Sequence, residues 1–282
     1  MSKKIGILLL VVSMLFVFGA CSKTEVPTGT PAETPADENS AEEGGKLAEI
    51  KKAGKIVLGT AADYPPFEFH KIIDGKDEIV GFDIEIAKLI ADEIGVELEI
   101  LDMKYEGLLP AIVTNDIDFI VAGMSANEER AQTVDFSQVY YEGSHTMIVR
   151  AEDKDLYKGP EDLAGKPVGA QKTTLQEEVV LNQFTESQYV GLSKITDLVL
   201  ELQNKKVEAV VLAEPVAKAY VKQNPNLHLA EVDLGKEDGV SVAVNKGNED
   251  LLEVINEVIE EIVNDGTIDR LINEATILAE EE

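Results

Sequence analysis

The sequence predicts an α/β fold of two lobes, each a mostly parallel sheet flanked by helices, with a ligand in the cleft between them. Three observations carry that expectation. Short apolar runs alternate with helical patterns of about ten residues, as in strand–helix–strand units. The alternation runs from Lys55 to the neighbourhood of Arg130 and begins again at Pro167. Two extended apolar runs, 144–150 and 239–244, follow the first and second units and read as strands crossing between lobes.

Residues 1–20 read as a secretory signal peptide: Lys3 and Lys4 precede an apolar run from Ile5 to Phe18, which ends in Gly19-Ala20. The run is shorter than the roughly 20 residues a spanning helix needs. Cys21 is the one cysteine of the 282-residue chain, so no internal disulfide is possible. Its place after two small residues resembles the lipobox of bacterial lipoproteins, with Phe18 where leucine is usual; the resemblance implies diacylglycerol, with palmitate, on the sulfur. Residues 21–45 carry Pro27, Pro31, Pro35 and six acids, Glu25, Glu33, Asp37, Glu38, Glu42 and Glu43, with almost nothing apolar. Such a stretch cannot bury enough surface to fold and reads as a tether.

In the first unit, residues 55–60 form a strand, and 61–69, with Pro65-Pro66, a turn-rich loop. Asp83 caps a helix whose apolar face is Ile84, Ala87, Ile90 and Ile94, and Gly95 ends it. Residues 96–101 alternate as a half-buried strand does, 107–115 form a short helix with Pro110 in its first turn, and 119–122 form the next strand. Ser125 and Glu128 then match the S-x-x-E capping box, with Arg130 close behind. A helix start offers free N–H groups to an anion, and an arginine grips a carboxylate in a planar, bidentate way. The same residues also read as a plain cap beside a solvated arginine.

The second unit takes 167–170 as strand, a helix from Thr173, a helix over 197–205, a strand over 207–212 and a helix over 215–223. Thr173 and Gln176 match a second capping box after a strand. Residues 250–275 form two amphipathic helices split at Asp265-Gly266. Ligands of open α/β sheets sit outside the carboxyl ends of the strands. The loops placed there are 61–67, 104–107, 123–130, 171–176 and 213–215.

From Lys46 to Glu274 the chain resembles the extracytoplasmic solute-binding proteins of ABC importers for polar amino acids, bacterial family 3. The resemblance runs through Gly59-Thr60-Ala61-Ala62-Asp63-Tyr64-Pro65-Pro66-Phe67-Glu68-Phe69, Val80-Gly81-Phe82-Asp83-Ile84, Gly107-Leu108-Leu109-Pro110-Ala111, Gly123-Met124-Ser125 with Glu129-Arg130, Val134-Asp135-Phe136-Ser137, Asp162-Leu163-Ala164-Gly165-Lys166-Pro167-Val168-Gly169 and Pro215-Val216-Ala217. It implies the type II periplasmic binding protein fold, with the first lobe over 46–145 and 240–282 and the second over 146–239. It places Arg130 on the ligand carboxylate with Ser125 as its partner, Ala122, Gly123 and Thr174 around the ligand backbone, and Tyr64 and Tyr105 against the side chain. Gln171 and Gln176 fall in the same loops. Asp63 stands two positions beyond the family's usual side-chain acid, where this chain has Ala61. Ala213 stands where the family has its acid for the ligand ammonium, with Glu214 adjacent as a candidate replacement.

A formal net charge of −29 argues against nucleic acid and against a surface clinging to anionic lipid. The expected function is capture of a polar amino acid, arginine or lysine before glutamine or histidine, for delivery to a membrane permease. A monomer outside the bacterial membrane, tethered by lipid, is expected, with no cofactor. Two other readings stay open. A cleft dehydratase of the cyclohexadienyl or arogenate type needs a proton donor, for which Glu214 or Glu106 serves; yet His70, His145 and His228 are scattered, with no nucleophile–base pair or metal-ligand spacing. A ligand-sensing lipoprotein without transport leaves no motif to read.

Overall fold

The computed structural model describes residues 44–281. The signal peptide, Cys21 and all of the tether except Gly44 and Gly45 lie outside the described residues. The described chain opens with α1 (Lys46–Ala53), which Gly54 closes in the left-handed region at φ 72°. β1 (Lys55–Thr60) follows as expected. The stretch read as a loop then contributes β2 (Asp63–Tyr64) and the start of β3 (Glu68–Ile73), which pairs with β4 (Lys76–Val80). The β3–β4 turn is Asp74-Gly75, both at positive φ (52° and 79°), the two-residue hairpin that Asp-Gly favours.

α2 (Phe82–Ile94) buries Ile84, Ala87, Ile90 and Ile94 and ends at Gly95. Asp83 does not cap it. Gly81 holds the N-cap position without a side-chain bond, and the Asp83 carboxylate reaches elsewhere, as described below. β5 (Glu97–Asp102), a 3₁₀ turn over Tyr105–Gly107, α3 (Leu108–Val113), β6 (Phe119–Ile120) and β7 (Val134–Phe136) complete the first group.

The second group is β8 (His145–Arg150), β9 (Pro167–Gln171), α4 (Leu175–Gln183), β10 (Gln188–Leu192), α5 (Ile195–Gln203), β11 (Ala209–Ala213), α6 (Glu214–Gln223) and β12 (Leu227–Leu229). β8 was expected as a crossing strand. It lies inside the second sheet, every residue buried, because its run of His145 to Arg150 is covered on both faces. The chain then returns through β13 (Ala243–Asn245) to α7 (Glu249–Asn264) and α8 (Thr267–Glu280). Leu251, Ile255, Val258, Ile259 and Ile262 form the apolar stripe of α7, and each such buried side chain contributes about 1.5–3 kcal/mol.

The first sheet has the order β5-β1-β6-β13-β7, with β5, β1 and β6 parallel and β13 antiparallel to both neighbours. The second has the order β10-β9-β11-β8-β12, with β10, β9 and β11 parallel and β8 antiparallel. The two chain passages joining the sheets meet each other: Val240 bridges Tyr141 on one side and Ser125 on the other. The carboxyl ends of β1, β6 and β9 thus face a common space, at Thr60, Ile120 and Gln171.

Candidate functional site

That space is a narrow cavity, with only about 10 Å³ accessible to water. Eight of the residues singled out from the sequence line it: Asp63, Tyr64, Tyr105, Ala122, Gly123, Gln171, Thr174 and Gln176. Ala61 and Glu68 complete the lining. Gly123 is at φ 54°, and a Cβ there would stand 2.7 Å from the Tyr64 ring, so the strand end fits only a glycine. Its N–H donates to the Asp83 carboxylate at 2.7 Å, which also accepts from the Tyr140 hydroxyl at 2.9 Å. Asp83 therefore anchors the cavity floor rather than its own helix. Burial pushes its carboxyl up to about 6, against these two donors.

Arg130 is buried beside the cavity, with its guanidinium carbon 5.8 Å from the centre of the Tyr105 ring. Its Nη1 donates to the Ser125 carbonyl at 2.6 Å and its Nη2 to the Thr173 carbonyl at 2.8 Å, so it spans both lobes. Among the described residues no carboxylate forms an ion pair with it. Ser125 is buried and contributes through its backbone.

The expected S-x-x-E helix start does not form. Ser125 bridges Val240, and Arg130 opens a 3₁₀ turn capped by Asn127 Oδ1, which accepts from the Arg130 N–H at 2.8 Å. Pairing with the return passage pulls Ser125 into extended backbone, leaving the capping to Asn127. The second box forms one residue later than expected. Thr174 is the N-cap and accepts from the Glu177 N–H at 3.3 Å, while Glu177 Oε2 accepts from the Thr173 N–H at 2.6 Å.

Asp63 lines the cavity with its charge already engaged. Its Oδ2 accepts from the Ile195 N–H at 2.6 Å, at the start of α5 in the opposite lobe, and its Oδ1 from Gln171 Nε2 at 3.4 Å. Its backbone carbonyl accepts from the Tyr220 hydroxyl at 2.8 Å. Burial lifts the carboxyl to about 6, opposed by the Ile195 N–H. Ser193 Oγ donates to Glu106 Oε1 at 2.5 Å in a further clasp between the lobes.

Glu214 is not in this site. Its side chain, 42% exposed, pairs with Lys218 Nζ at 2.7 Å and accepts from Ser144 Oγ at 2.9 Å, and it lines a separate outer groove of about 230 Å³ with Pro66 and Tyr141. Lys218, then Ser144, holds its carboxyl below the usual range. Ala213 ends β11, so the next side chain leaves on the other side as α6 begins.

Glu68 escaped the sequence reading. It is fully buried, and neither carboxyl oxygen receives a hydrogen bond from a protein donor. Its acidic neighbour is Asp83, whose charge disfavours a second negative charge beside it. Burial, and then Asp83, push Glu68 well above the ordinary carboxylate range. The local signal was an acid between Phe67 and Phe69, just after the proline pair.

Residues 56–275 match the profile of the bacterial extracellular solute-binding proteins, family 3. The arginine-binding extracellular protein ArtP of Bacillus subtilis is 35% identical over 237 residues, 83% of this chain and 88% of that protein. A probable histidine-binding protein of Campylobacter jejuni is 33% identical, over 84% of this chain and 91% of its own length. The amino acid ABC transporter substrate-binding protein AbpA of Streptococcus pneumoniae, solved with L-arginine bound, has a similar fold at a TM-score of 0.80 and 37% identity, covering 83% of this chain and 99% of that one. Holo ArgBP of T. maritima aligns at a TM-score of 0.72 and 40% identity, over 79% and 97% of the two chains. With sequence profile, relatives and two-sheet architecture in agreement, the chain belongs to the bacterial extracellular solute-binding proteins, family 3.

Proposed function

We propose that this protein captures a basic amino acid, arginine before lysine, by closing its two lobes, and passes it to a membrane permease. One observation carries this reading. A buried guanidinium without a carboxylate partner, Arg130, and a buried carboxyl without a donor, Glu68, flank one small cavity. A ligand with a carboxylate and a cation satisfies both, and each is costly to leave unpaired. The relative solved with L-arginine bound supports the same choice. Tyr64 and Tyr105 supply apolar walls, Gly123, Ala122 and Thr174 offer backbone to the ligand, and the chemistry is binding and closure without bond making. Asp63 serves closure, and Glu214 has no part in the ligand contacts.

The same reading gives residues 1–20 to export, Cys21 to a lipid anchor and residues 22–45 to a tether outside the membrane. The lobes then take 46–145 with 240–282, and 146–239, in a monomer. The function is tested by thermal unfolding of the full-length protein in detergent against the twenty amino acids. A ligand at a hundred times its Kd stabilises by about 2.7 kcal/mol. The largest shift belongs to L-arginine; no shift with any basic amino acid overturns the proposal. Cys21→Ser abolishes palmitate labelling if the anchor is as described, and unchanged labelling rejects that part.

A further inference from the structure

A second buried carboxyl stands behind the cavity wall. Glu237 lies on the passage returning from the second sheet to the first, with its side chain 3% exposed. Its Oε1 accepts from Gln176 Nε2 at 3.1 Å, and the His145 Nδ1 stands 3.8 Å away. Its Oε2 is buried and has no partner. Gln176 connects this group to the cavity, which it lines, and its Nε2 also lies 3.4 Å from the Tyr64 hydroxyl.

The wall is built this way by register. His145 of β8 lies directly opposite Ala213 of β11, so the two side chains share one face of the sheet. Ala213 brings only a methyl there, and the corner is filled by His145, Gln176 and Glu237. Burial lowers the His145 pKa, so its imidazole is neutral at neutral pH and supplies no countercharge. The charge of Glu237 is felt by the Tyr64, Tyr141 and Tyr105 hydroxyls, and Gly143 packs against it, where a Cβ would meet Oε2 at 2.8 Å. Among the described residues no lysine or arginine forms an ion pair with it.

The charges around the cavity therefore comprise one guanidinium, Arg130, and two carboxyls without a countercharge, Glu68 and Glu237. Asp63 is satisfied by the start of α5, and Asp83 by the Gly123 N–H and the Tyr140 hydroxyl. A basic amino acid presents the complement: one carboxylate and two cations. We propose that Glu237 is a specificity-determining carboxylate of this site, positioned by Gln176 and paired electrostatically with the second cationic group of a basic amino acid. This rests on the basic-amino-acid function proposed above and assigns it a residue that the lining of the cavity does not include.

The test is calorimetric titration of the full-length protein in detergent with three probes: L-arginine, L-citrulline, which lacks the side-chain cation, and des-amino-arginine, which lacks the ammonium. Wild type prefers L-arginine to both. Glu237→Gln loses roughly tenfold or more of its L-arginine affinity, while its affinity for one of the two analogues changes by less than about threefold. The spared analogue identifies the end of the ligand that Glu237 meets. Equal losses for all three probes, or no loss for any, overturn the proposal. Wild type failing to bind L-arginine would instead reject the function it rests on.

A second measurement needs no variant. Burial pushes the Glu237 carboxyl up to about 7, so a cation paired with it drives off a proton near pH 6.5. Titrations in two buffers of different ionisation enthalpy show more protons released with L-arginine than with one of the analogues. Equal release with all three counts against Glu237.

Discussion

The Asp63 carboxylate of the first lobe caps the helix of the second, accepting from the Ile195 N–H at 2.6 Å. An acid that lines the cavity thus also joins the two lobes, together with the Tyr220 hydroxyl on its carbonyl and the Glu106–Ser193 contact. Carboxylates favour helix starts because free N–H groups and the positive dipole end meet there.

Asp63→Ala therefore weakens every ligand alike, with no change in preference among them. The expected loss is roughly tenfold for L-arginine, about the worth of one charge-assisted hydrogen bond. Small-angle scattering of the ligand-free variant gives a larger radius of gyration than wild type. An unchanged radius with a selective loss of cationic ligands would return Asp63 to the ligand side chain.

Arg130 is the residue whose truncation costs most. Removing one partner of a buried charge pair typically costs about 2–5 kcal/mol, so Arg130→Ala lowers L-arginine affinity by roughly 10²-fold or more. Arg130→Lys recovers little, because one ammonium cannot hold the Ser125 and Thr173 carbonyls and a carboxylate in one plane. Calorimetry settles both. An Arg130→Lys affinity within threefold of wild type, about 0.7 kcal/mol, contradicts the planar role.

What the sequence revealed about this site follows the range over which each interaction acts. Tyr64, Gly123, Ser125 and Arg130 stand in local patterns legible in the chain, although the helix start invoked for Ser125 does not form: its partner, Val240, comes from a distant passage. Glu68 was hidden by the reading of residues 61–69 as loop, where the Asp74-Gly75 turn and the flanking Ile72-Ile73 and Ile79-Val80 already signalled a hairpin. Glu214 was placed by adjacency to Ala213, and a one-residue step at a strand end turns a side chain to the other side. Glu237 was out of reach, since its meeting with Gln176 depends on how the two lobes face each other.

Glu68 and Asp83 predict a second selectivity change. Glu68→Gln keeps the volume and removes the carboxyl that a bound cation would hold in its ionised form, against the burial that raises its pKa. Affinity for L-arginine and L-lysine falls by roughly tenfold or more, and L-glutamine gains on both. Competition titration reads the ratio directly, and a ratio that stays fixed speaks against Glu68 as a partner for the cation.

The buried carboxyls also set how stability depends on pH. Glu237 at about 7 and Asp83 at about 6 lie above their ordinary values of 4.5 and 3.8, both through burial. In the window between, the folded protein holds protons that the unfolded chain has lost, so stability falls as pH rises. The contribution is fully present below about pH 4 and is gone once pH has passed about 7. Glu237 alone contributes at most about 3 kcal/mol to that change. Ligand-free wild type therefore melts several degrees lower at pH 8 than at pH 5, about 2–4 °C for each kcal/mol in a chain of this size. Other carboxylates of this acidic protein add their own repulsion, and comparison with Glu237→Gln removes them. The variant shows a shallower fall of Tm over the same interval, most visibly between pH 5 and 7. Parallel Tm profiles for the two proteins would mean that the Glu237 carboxyl titrates as an ordinary surface acid, against its burial and its lack of a countercharge.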